Sequence, residues 1–172
     1  MKRMIMVMFS ALALMVISPA MAHADRPGGF GIGLGTGTAV SGISGKVHSG
    51  DLAFQGVVGC WGYNCYGFGL SADILFNMPT IHDAGVVKFA WNLGGGAAMG
   101  VGERGWARRY YDRRYDYRTN FVLHAQFVAG LELIFPDVPL DIVFELRPAI
   151  RIVPPARPYL FSGGAHIRFY IQ

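Results

Sequence analysis

Six arginines and three carboxylates crowd the run Glu103-Arg104-Gly105-Trp106-Ala107-Arg108-Arg109-Tyr110-Tyr111-Asp112-Arg113-Arg114-Tyr115-Asp116-Tyr117-Arg118, a local charge of +3. Arginine forks grip phosphate or carboxylate through paired hydrogen bonds, while interleaved tyrosine rings contact sugar or lipid surface. Arg104, Arg108, Arg109, Arg113, Arg114 and Arg118 therefore form a candidate patch for an anionic lipid or another surface partner. The plainer reading is a solvated loop that pairs with anionic lipid. The same chemistry holds nucleic-acid backbones, but the export signal described below makes a nucleic-acid partner unexpected.

A second group consists of Asp73, Glu132, Asp141, Glu145, Arg147, Arg151 and Arg168, which fall on one alternating phase of their segments. Two close carboxylates such as Glu132 and Glu145 can act as acid and base. Buried inside a tight fold, however, they are expected to pair with the arginines as an ion network. His124 and His166 share that phase without a carboxylate or cysteine at metal-ligand spacing. Ser162 with His166 resembles part of a hydrolase constellation, yet in an extended strand the two stand roughly 13 Å apart, too far for direct proton transfer. No catalytic residue, metal or cofactor is expected. Cys60 and Cys65 bracket Trp61-Gly62-Tyr63-Asn64. A hairpin-closing disulfide is favoured over free buried thiols and over redox or metal chemistry, since a redox motif favours two intervening residues rather than four.

The elements that must position these groups are strands. Phe30, Ile32, Leu34, Thr36 and Thr38 alternate with glycine; Tyr66, Phe68, Leu70, Ala72, Ile74 and Phe76 alternate with Gly67, Gly69, Ser71, Asp73 and Leu75. The same period of two runs through Phe121–Leu133, Leu140–Leu146 and Tyr159–Ile171, and it is the period of a strand. The face opposite the bulky residues carries Gly, Ser, Asn, Gln and His with a few charges and hardly any Lys or Glu of the kind that coat a wet sheet. That composition suits a narrow polar barrel interior. Turn signals divide the chain into eight strands, 28–37, 39–48, 51–60, 65–76, 86–100, 120–134, 139–151 and 158–171, although 29–47 also reads as one long strand bent at glycine bulges. An even count returns both chain ends to one rim. Ser49-Gly50, Asn77 to Gly85 and Phe135 to Val138 fall on that rim; the first hairpin, the inter-cysteine segment, 101–119 and 153–157 fall on the other. Trp61, Tyr63, Trp91, Trp106, Tyr159, Phe169 and Tyr170 mostly fall near strand ends, where membrane barrels carry aromatic girdles.

The chain has 172 residues, and its first 24 read as a cleavable secretory signal: Lys2 and Arg3, an apolar body from Met4 to Ile17, a break at Ser18-Pro19, and Ala22-His23-Ala24 before a cut at Asp25. The apolar body falls short of the roughly 20 residues a membrane-spanning helix needs. Removing the signal leaves 13 basic against 11 acidic side chains, too weak a balance to imply a polyanionic partner. All 24 glycines lie beyond it, without the strict repeat of a collagen. Residues 25–172 form a single domain's length, exported to a compartment where a disulfide persists.

Gly42-x-x-Gly45-Lys46, the run Gly130-Leu131-Glu132-x-x-Phe135-Pro136-x-x-Pro139-Leu140-Asp141 with Glu145 and Pro148, and the closing Gly164-x-x-Ile167-Arg168-Phe169-Tyr170 carry a resemblance. The chain resembles the small eight-stranded outer-membrane barrels of bacteria, and more narrowly a family of predicted barrels of unassigned function. The resemblance implies an all-β, eight-stranded, antiparallel up-and-down barrel in the bacterial outer membrane, a monomer surrounded by lipid, with the charged 101–119 loop facing outward. The function it implies is non-enzymatic, in envelope structure or surface interaction. Two alternatives stay open: a lipid-modifying outer-membrane enzyme, and an exported soluble barrel holding a small apolar ligand, the last requiring the bulky residues to point inward.

Overall fold

The computed structural model describes residues 26–62, 65, 67–102, 120–153, 157–159 and 162–171. The signal segment 1–24, the arginine patch with Trp106, and Tyr63 lie outside the described residues. The described residues form ten strands: β1 (Phe30–Gly37), β2 (Val40–Ser49), β3 (Leu52–Trp61), β4 (Gly67–Asp83), β5 (Lys88–Gly102), β6 (Asn120–Phe135), β7 (Leu140–Leu146), β8 (Ala149–Val153), β9 (Arg157–Tyr159) and β10 (Gly163–Ile171). Neighbours in sequence pair antiparallel from β1 to β7, β7 pairs with β10, and β10 returns to β1 from Phe30↔Ile171 to Gly37↔Gly164. The result is a closed eight-stranded barrel, with β8 laid against β6 and β9 against β8 as continuations of the last two staves.

Residues 30–49 are two strands, paired from Phe30↔Val47 to Gly35↔Gly42 and joined through Thr38-Ala39. Gly50 makes the next turn with φ 58°, a backbone conformation most side chains resist. Three boundaries differ from the sequence expectation. Most of the segment from Asn77 to Gly85 is strand, and only Ala84-Gly85 belongs to the turn: β4 continues to Asp83 against β5, with register shifts between Asn77 and Thr80 and between Thr80 and His82. The bulge absorbs Pro79, whose missing N–H cannot serve a regular ladder. The seventh segment is broken at Arg147-Pro148, where Pro148 again lacks a donor. The eighth is split too, and Ser162 stands outside its strands, its carbonyl accepting from the Arg147 amide at 2.7 Å.

Following one row of partners from Phe30 through Val47, Phe54, Ile74 and Gly95 to Phe127, then across the remaining strands, returns to β1 about ten residues further along. Such a stagger tilts the strands strongly against the barrel axis. Most of the bulky apolar residues among the described strands face outward: Phe68 is 57%, Phe127 41%, Leu131 40%, Phe144 54% and Ile167 47% exposed, and Leu70 is half-buried. Inside, two small apolar clusters, Ala53 with Leu75 and Val128, and Val40 with Val57 and Ala98, flank a polar middle.

Candidate functional site

Seven of the sequence-derived charged and polar residues converge in the lumen because the strand period sends each of them inward: Asp73, Glu132, Asp141, Glu145, Arg147, Arg168 and His166 are all buried. Ser44, Lys46 and Gln55 join them from β2 and β3. Arg168 is the hub. Its Nη1 donates to Asp141 Oδ2 at 3.1 Å, its Nε to Ser44 Oγ at 2.9 Å, and its Nη2 to Gln55 Oε1. Gln55 Nε2 donates to Glu145 Oε1 at 3.0 Å, and Arg147 Nε donates to Glu145 Oε2 at 2.6 Å. Arg147 also pairs with Asp73 at 3.0 Å, and Gln126 donates to Asp73 Oδ1 at 2.6 Å. Towards the rim of the termini, Tyr170 donates its hydroxyl to Asp141 Oδ2 at 2.8 Å and meets His48 Nε2 at 3.1 Å.

Glu132 belongs to a separate cluster, paired with Lys46 and, at 2.9 Å, with Arg26. Arg26 precedes the first strand, yet its side chain is only 5% exposed. Burial lowers its guanidinium to about 10, which leaves it a cation at neutral pH. Among the described residues the buried basic and acidic side chains are equal in number, with Arg26, Lys46, Arg147 and Arg168 against Asp73, Glu132, Asp141 and Glu145. Glu132 and Glu145 each have their own cations and do not form an acid and base pair.

His166 bonds Ser44 Oγ through Nδ1 and Glu145 Oε2 through Nε2, both at 3.0 Å. Serine, imidazole and carboxylate thus stand in the order of a hydrolytic relay, with Ser44 where the sequence suggested Ser162. Because Ser44 also accepts from Arg168, the network is satisfied with its hydroxyl proton on the Nδ1 side and the imidazole proton directed at Glu145. Ser44 is fully buried, and the nearby interior void, bordered by Arg147 and His166, measures only about 10 Å³, room for one water at most. With Ser44 closed off in this way, the three side chains link β2, β10 and β7 through hydrogen bonds.

Glycine makes room for these side chains. A Cβ at Gly31 would meet the Tyr170 ring at 2.7 Å, and one at Gly35 would meet His166 Nδ1 at 2.4 Å. At the other mouth the Trp61 indole covers Gly100 and meets His124 edge-on at 5.1 Å, with Arg151 Nε 3.4 Å from His124 Nε2. Trp61 and Tyr170 are thus lumen plugs, not parts of an outward girdle. Next to Trp61, Cys60 and Cys65 are joined in a disulfide, their Cα atoms 4.6 Å apart, closing the β3–β4 hairpin. Gly102 pairs with Asn120 at the rim of this hairpin, opposite the termini.

Sequence reasoning missed Ser44, Lys46 and Gln55, although each shares a phase with inward Val40, Ala53 or Val57. Arg26 carried no signal, since it lies in no strand. Among the described residues no cluster of three His, Cys, Asp or Glu is placed to hold a metal ion. No protein-family model, curated protein or solved structure matches the chain.

Proposed function

We propose that this chain is a non-enzymatic outer-membrane barrel that contributes to envelope structure and presents the 101–119 segment for surface interaction. The observation that carries the reading is the inversion of the barrel: charges are matched inside, while Phe, Ile, Leu and Val side chains face outward on staves all around it. In water such an uninterrupted apolar surface is an aggregation liability; in hydrocarbon it is the required one, and closure of the sheet removes the edges that lipid does not tolerate. A soluble barrel that stores an apolar ligand needs the opposite orientation. A lipid-modifying enzyme needs a nucleophile open to a lipid groove, and Ser44 lies on the inner face behind β1 and β2.

Separation of the envelope of bacteria producing the full chain tests it. The protein is expected in the outer-membrane fraction, resistant to alkaline extraction, with heat-dependent mobility in detergent gels. Recovery in the soluble periplasmic fraction overturns the reading.

A further inference from the structure

The mouth beside the chain termini contains a site that the barrel's structural role does not require. The β4–β5 ladder runs regularly to Asn77↔Asn92 and resumes at Thr80↔Ala90, so Met78 and Pro79 stand opposite the single residue Trp91. A bulge of this kind leaves main-chain groups outside the ladder, and Pro79 enforces it. Two carbonyls, Met78 O and Trp91 O, consequently turn to one point, and Arg26 Nη2 lies 3.0 Å from each. The third acceptor is Glu132 Oε2 on β6, 2.9 Å from Arg26 Nε. One residue along from Trp91, the buried side-chain amide of Asn92 has neither its oxygen nor its nitrogen bonded.

The acceptors come from three different strands, and two of them are main-chain carbonyls placed by the bulge. Residues 26–29 precede the first ladder residue, Phe30, so no strand pairing fixes them there. A carboxylate on one edge and two carbonyls on the other suit a planar, forked cation; a tetrahedral ammonium meets such a set poorly. We propose that this mouth is a guanidinium-binding site which Arg26 fills in cis, making residues 26–29 a strap that seals the barrel on the side of its termini. The ligand class is a guanidinium cation.

The test uses the full-length chain folded in detergent micelles and does not depend on where the barrel resides. R26A is expected to unfold roughly 10 °C below the parent, as a buried carboxylate loses a partner. Ethylguanidinium on the order of 10 mM should restore most of that loss along a saturating curve, while ethylammonium at equal ionic strength should not. R26K should remain low, and the parent should respond to neither cation. Equal responses of R26A to the two cations, no response to either, or full stability of R26K overturns the proposal. Should R26A fold poorly, the readout becomes folded yield, and a yield that ethylguanidinium fails to raise overturns it as well.

Discussion

Arg168 shows how far residue-level reading of the sequence reaches. Its inward phase, and that of Asp141, follow from alternation with Ile167, Phe169, Leu140 and Ile142, and period two is insensitive to what stands across the barrel. Their ion pair of 3.1 Å is less legible, since it depends on register between β7 and β10, where Arg168 stands opposite Asp141. Ser44 and Gln55 arrive from β2 and β3, so their bonds to Arg168 are set by barrel diameter and stagger. These contacts make a specific demand. Arg168→Met removes the cation from a fully buried site, leaving Asp141 with the Tyr170 hydroxyl but no paired cation and Ser44 and Gln55 without the guanidinium donor, a loss of about 3–5 kcal/mol. Asp141→Asn in the same chain should recover part of it, because the uncompensated charge disappears. Urea unfolding of the folded single and double variants checks both statements; strictly additive losses would show that the two side chains do not act as a pair.

At the scale of elements, all eight staves were legible, while the ends of several were not. Asn77 to Gly85 reads as a turn because Asn, Pro, His, Asp and Gly cluster there, yet β4 runs through it: the bulge houses Pro79, and the Asn77 side chain donates to Gly50 O and Leu52 O, fastening the β2–β3 turn. Local turn chemistry therefore served a neighbouring turn. The break at Arg147-Pro148 was hidden for the opposite reason, since alternation continues across it and only the missing donor of Pro148 marks it. The proposed surface interaction concerns the 101–119 connection, whose flanking pair Gly102 and Asn120 lies at the rim away from the termini. Replacing Arg108, Arg109, Arg113 and Arg114 with glutamine should leave folding nearly intact, since the alternating sequence pattern assigns none of them to a strand. Binding to vesicles rich in anionic lipid should fall, and raised salt should weaken the parent similarly through screening. Binding that withstands both changes would return the segment to a rim connection without electrostatic function.

For the whole molecule, the matched interior charges and the apolar exterior are one solution to one constraint. A closed sheet about ten residues staggered encloses a lumen narrow enough to be filled by its own side chains, so the polar groups must satisfy each other and the apolar ones are left outside. Which medium covers that exterior has an energetic signature that solubility alone does not show. Phe127 lies near the middle of the 16-residue β6, whereas Phe30 opens β1 at the rim of the termini. If hydrocarbon surrounds the barrel, Phe127→Arg should destabilise it by about 2–4 kcal/mol, and Phe30→Arg by only about 0–1 kcal/mol, since the penalty for a charge falls towards the interface. If water surrounds it, both side chains are about as exposed as any surface residue, and both replacements should be near neutral. Reversible urea unfolding from lipid vesicles measures the two losses side by side. A gradient with depth supports the membrane reading, and two equal, small losses overturn it even with the barrel intact.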